Sequence, residues 1–172
     1  MEHSHTESTP ETTAHPNVYK QGREPEDWWS EIKRTHGHVG PWNVLGWRIG
    51  KAALREFETS WGRHEIDIIC YVPLKTPYSC MADGLIIGTG NAMGWLDIRL
   101  AEAISLDVVQ VCIRRKSGTS PVIIFKPRLS YLRHIDAPKP EALETLSREC
   151  STMDESDIFE IQRITASTLE SL

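Results

Sequence analysis

The chain has 172 residues, enough for one domain with a sizeable core, and its hydrophobic (40%) and charged (25%) fractions are those of an ordinary globular protein. A formal net charge of -5, with Lys and Arg scattered along the chain, argues against a nucleic-acid partner. No apolar stretch is long enough to span a bilayer and no apolar signal region opens the chain, so a cytoplasmic, reducing setting without disulfides is expected.

Residues 1–22 are Glu, Ser, Thr, His and Pro with little bulky apolar content, a composition that predicts a disordered tail. His3, His5 and His15 fall in it and are expected to be free in solution. A single domain is expected over residues 23–172. Pro25 followed by acidic residues makes a good first turn for a helix from Glu26 to about Arg34, carrying Trp28, Trp29 and Ile32 toward the body. A second helix is predicted from Pro41 to about Thr59, with Trp42, Leu45, Ile49, Ala53 and Phe57 forming a buried stripe. Gly46 and Gly50 lie four apart within it. Glycine inside a helix costs about 1 kcal/mol against alanine, so the pair implies close approach of another backbone.

Residues 65–72 alternate as a strand, with Ile66, Ile68, Cys70 and Val72 on one face. A short helix over Cys80 to Ile87 follows, with Ser79 as its expected N-cap. Cys80 in its first turn would meet the helix dipole and free N–H groups, which favour thiolate. Residues 88–94 read as a glycine-rich loop, a poor dinucleotide fingerprint. Residues 95–103 offer a further strand. Asp107 to Arg115 and Ser120 to Lys126 then predict a hairpin around residues 116–119, with Arg114, Arg115 and Lys116 ending a strand on a solvated face. Residues 129–135 continue as a turn or short helix, and Pro138 to Cys150 and Asp154 to Leu169 read as amphipathic C-terminal helices. Cys70 and Cys112 sit in apolar runs and read as small buried hydrophobes; Cys150 is the only thiol near the C-terminus.

The most chemically loaded stretch is Thr35-His36-Gly37-His38-Val39-Gly40-Pro41-Trp42. Pro41 suits the first position of a helix, and a His-Gly-His turn held at that helix can aim two imidazoles at one point. Neutral imidazole is the commonest protein ligand for transition metals. A pair of solvent-facing loop histidines accounts for the same residues. His64 and His134 read as surface groups, and Arg48 and Lys51 either bind an anion or cover a solvated helix face.

His36-Gly37-His38 followed by Pro41 and the run from Leu45 to Gly50 resembles the HGHxCPG…GxRxG opening of the formylmethanofuran dehydrogenase E-subunit-like family. Ser79-Cys80-Met81-Ala82-Asp83-Gly84 followed by Thr89-Gly90 is similar to that family's second block, and the strand ending near Leu132 to the one that closes its domain. The resemblance covers about residues 28–135. It implies an α+β fold with a mixed or antiparallel sheet and packed helices, like the catalytic domain of glyceraldehyde-3-phosphate dehydrogenase, and a homodimer. It also implies a metal site, zinc or another divalent transition metal, with His36, His38 and Cys80 as ligands and Asp83 beside them. Two imidazoles and one thiolate would leave an open fourth position on tetrahedral zinc. The family's cysteines are replaced here at Gly40 and Asn91, and its C-terminal zinc ribbon has no counterpart; the chain resembles a divergent member.

Three functions are open at this point. One is a metal-dependent enzyme of lyase, isomerase or hydrolase type acting on a small molecule, with Asp83 as orienting group or base, Asn91 as a donor to substrate, and Trp42 and Trp95 walling the pocket. The second is a metal- or cofactor-binding accessory protein without turnover. The third is a structural member without metal.

Overall fold

A computed structural model describes residues 22–165. Residues 1–21 of the expected disordered tail and the end of the expected last helix, residues 166–169, lie outside the described residues. Helix α1 (Trp28–His36) is followed by α2 (Pro41–Glu56), strand β1 (Ile66–Val72), α3 (Cys80–Thr89) and β2 (Ile98–Glu102). Then come β3 (Gln110–Arg115), β4 (Val122–Pro127), α4 (Leu129–Ile135), α5 (Leu143–Thr152), the single-turn α6 (Glu155–Ile158) and β5 (Phe159–Ile164). The class is α+β, and no helix among the described residues is long and apolar enough to cross a membrane.

The five strands form one sheet in the order β2-β1-β3-β4-β5, with β1 and β2 parallel and the other pairs antiparallel. Strand alternation builds the core directly. Ile98, Ile68, Ile113 and Ile123 lie in register across four strands, and Cys70, Val111 and Phe125 form the next row. All seven are buried. Removing such β-branched and aromatic groups from water is the main stabilising contribution to the sheet.

α2 and α3 pack against each other through glycine. A Cβ on Gly46 would run into the Met81 carbonyl oxygen, and one on Gly84 into the Asn43 carbonyl oxygen. The glycine pair in α2 therefore has the expected cause, a second helix backbone in contact. Asp27 caps α1, its Oδ1 accepting the Trp29 and Ser30 N–H groups at 3.0 and 3.3 Å.

Two expectations are overturned. Residues 159–164 are not helical: they form β5, antiparallel to β4. Phe159 and Ile161 alternate with Glu160 and Gln162, and this period-two pattern satisfies the outer edge of β4, an outcome set by the tertiary partner. Ser79 makes no side-chain cap to α3. The N–H groups of Cys80, Met81 and Ala82 are instead taken by the carbonyls of Pro77, Tyr78 and Ser79 in the turn that precedes the helix.

Candidate functional site

α1 ends at His36 because Gly37 takes a left-handed conformation (φ 95°) and returns its N–H to the Lys33 carbonyl. α2 starts five residues later at Pro41. His36 and His38 are thus held between two helix ends, with ring centroids 4.9 Å apart. His36 Nδ1–H donates to Asp83 Oδ2 at 2.7 Å, which brings the first turn of α3 up to the histidine turn. The His36 side chain is 17% exposed and Asp83 half exposed; His38 faces solvent.

Asn43, fully buried on α2, ties the same pieces together. Its Oδ1 accepts the Gly40 N–H at 2.9 Å and its Nδ2 donates to the Cys80 carbonyl at 3.1 Å. A carboxamide is needed here because one side chain must accept from one backbone and donate to the other. Asn43 escaped the sequence reading, although an amide three residues after a helix cap is a recognisable start signal.

A cavity of about 40 Å³ lies beside His38. Cys80, Trp42, Asn43, Pro41 and Pro77 line it, with Pro138 from the connection between α4 and α5 and Leu143 at the start of α5. Trp42 is 1% exposed and stands edge-on to Tyr78 at 5.0 Å. Burial pushes the Cys80 thiol above its ordinary range, and the nearby Asp83 carboxylate adds to the effect. The expectation of a thiolate favoured by the helix start is therefore reversed: the Cys80 N–H still favours the thiolate, but desolvation and the Asp83 charge outweigh it.

The remaining expected site residues lie elsewhere. Asn91 and Trp95 follow the opposite end of α3, whose ten residues span about 15 Å at 1.5 Å per residue. Asn91 Nδ2 donates to the carbonyls of Ile66 and Asp97 at 2.9 and 3.0 Å, so its donors hold backbone. Trp95 stacks on His64 at 3.9 Å. His64 is not a surface group: its side chain is 12% exposed, and Nδ1–H donates to Asp97 Oδ2 at 2.7 Å. Asp97 is buried, accepts the Ala92 N–H at 2.8 Å, and has Lys116 Nζ at 3.6 Å. Arg48 donates to the carbonyls of Cys150 and Ser151, closing the end of α5, and Lys51 pairs with Glu24. Neither is available as an anion site. His134 is exposed and pairs with Glu149.

A family model described as "FmdE, Molybdenum formylmethanofuran dehydrogenase operon" matches residues 35–162, beginning one residue before His36. The chain belongs to the FmdE family. No curated protein matches it. The match covers well over half of the chain and takes in the histidine turn, the α2–α3 pair and all five strands except the last residues of β5.

Whether the FmdE site of this chain fits a metal depends on its donors. Among the described residues no group of three or more His, Cys, Asp or Glu side chains is gathered to hold an ion. The two imidazoles fit on their own chemistry. Metal-ligating histidine characteristically donates its second ring N–H to a carboxylate, which fixes the tautomer, and His36 makes that bond to Asp83. The residues therefore suit an ion held by two imidazoles with open positions, and do not form a closed four-ligand structural site.

Proposed function

We propose that this FmdE-family chain is a metal-binding accessory domain in which His36 and His38 hold zinc or another divalent transition metal. The observation that carries the reading is the 2.7 Å bond from His36 Nδ1 to Asp83, which occupies one ring nitrogen and leaves Nε2 as the other on a ring whose centroid is 4.9 Å from that of His38. Asp83 orients His36, and Asn43 keeps the histidine turn and Cys80 in register. A bound ion would supply Lewis-acid polarisation of a small oxygen or sulfur ligand. Cys80 lines the cavity that such a ligand would reach.

An accessory role is favoured over turnover because the groups expected to do chemistry are not assembled. Asp83 is committed to His36, and Asn91 is bonded to backbone at the other end of α3. The exposure of His38 and Asp83 also suits a site open to solvent or a partner. Equilibrium dialysis against zinc and nickel tests the proposal. About one ion per chain, lost in the His36→Ala/His38→Ala variant while circular dichroism is unchanged, is the expected result; equal uptake by variant and wild type contradicts it.

A homodimer is part of the same proposal. Trp28 stacks on Trp47 at 4.0 Å and Trp29 is buried, so these tryptophans are spent within the chain. The outer edge of β2 is open among the described residues, with Leu100 on it. Sedimentation velocity over a hundredfold concentration range checks it, and a monomer throughout would refute it.

A further inference from the structure

We infer that the cavity beside His38 selects short, uncharged ligands, and that Leu143 sets their length. The inference rests on the proposed site but concerns the space next to it. A cavity of about 40 Å³ holds roughly three water-sized groups, at about 10–15 Å³ each. His38 and Cys80 are among its lining residues, with Trp42, Pro41 and Pro77 as apolar neighbours. No Lys or Arg lines it, and the carboxylate that stands closest along α3 is Asp83. An anionic head entering without a metal finds no cation to replace its water, which is expensive in an apolar setting. A hydroxyl can pair with a polar group of His38 or Cys80, and its carbon tail meets a mostly apolar lining of Trp42, prolines and Leu143.

A strap made of the α4–α5 connection and the first residue of α5, residues 136–143, adds Pro138 and Leu143 to the lining. The strap is fixed at both ends. Tyr78 Oη donates to Asp136 Oδ1 at 3.1 Å, and Ser147 Oγ, one turn beyond Leu143, shares its proton between the Leu143 carbonyl at 2.7 Å and the Val39 carbonyl at 3.2 Å. Leu143 is the one flexible aliphatic side chain lining the cavity, the other strap contact being Pro138. Truncating it lengthens the cavity without touching His38, Asn43 or Cys80.

The test is a titration of the purified full chain with straight-chain primary alcohols from methanol to hexanol, and with propionate, followed by the His38 ring and Leu143 methyl signals in NMR. Metal content is determined on the same sample, so that loss of the metal reading is seen separately from loss of this one. Expected are shifts at both groups, affinity rising to about three carbons and falling beyond, and propionate at least tenfold weaker than propanol in the metal-free protein. Leu143→Ala should move the maximum by two or three carbons; Tyr78→Phe, which frees the strap, should blunt the cut-off. Affinity that climbs through hexanol in wild type, propionate binding as well as propanol, or an unmoved maximum in Leu143→Ala would each overturn the inference. Leu143→Val provides the same reading, with a smaller move, should the alanine variant fail to fold.

Discussion

Asp83 and Asn43 organise the candidate site, each tying the start of α3 to the turn between α1 and α2. Asp83 was legible through the resemblance of residues 79–84 to the family's second block, which implies a carboxylate beside the metal ligands. Replacing it by Asn keeps the shape but removes the charge behind His36; a 10–100-fold loss of metal affinity is expected, with little change in the urea midpoint, as read by competition against a chromophoric chelator. Asn43 was hidden inside an apolar helical stripe, since its role depends on Cys80 arriving from 37 residues away. Asn43→Ala leaves the Gly40 N–H and the Cys80 carbonyl without their side-chain partner in a buried setting. A loss of about 2–4 kcal/mol in urea unfolding is expected from two such groups. A loss under about 0.5 kcal/mol would show that solvent replaces both bonds.

At the scale of elements, the α2–α3 contact fixes how the histidine turn meets Asp83 and Cys80. Gly46→Ala or Gly84→Ala drives a methyl into backbone of the other helix and should cost about 3 kcal/mol or more, because neither backbone can yield as a side chain would. Gly94→Ala, with open space around the added methyl, should stay within about 0.5 kcal/mol by the same urea measurement. The close approach was readable from Gly46 and Gly50 in the sequence. Residues 159–164 were misread as helix because a six-residue alternating run is also compatible with an amphipathic helix; only the open edge of β4 decides it. The expected site was split for a similar reason. Cys80, Asp83, Asn91 and Trp95 are close in sequence, but a helix of ten residues sends the last two to its far end. There Trp95 joins His64 and Asp97, a pairing with no local sequence signal.

For the whole molecule, the α+β class came with the family resemblance and the buried face of β1 with the alternation of residues 65–72, whereas the rows it forms with β3 and β4, which bury Cys70, depend on how the strands pair. The same burial has a consequence for pH. Desolvation raises the Cys70 thiol to about 12, and burial pushes Tyr131, Cys112 and Cys150 up as well. A raised folded-state value for an acid favours its neutral form, so the stability Cys70 contributes is complete below its ordinary value of 9.0 and is lost as pH rises toward 12. Unfolding free energy should therefore fall between pH 9 and about 12, by about 1.4 kcal/mol per pH unit from Cys70. Cys70→Val should flatten the slope in urea titrations across that range; an unchanged slope would assign the loss to other groups.

The central claim is that His36 and His38 together hold a metal with Asp83 behind them. Elemental mass spectrometry on tag-free protein, purified without added metal and again after zinc addition and desalting, tests it most directly. Wild type should carry about one ion per chain, Asp83→Asn a reduced amount, and the His36→Ala/His38→Ala variant none, all with the same circular dichroism spectrum. Wild type free of metal after zinc addition, or a double-histidine variant that retains its ion, would contradict it.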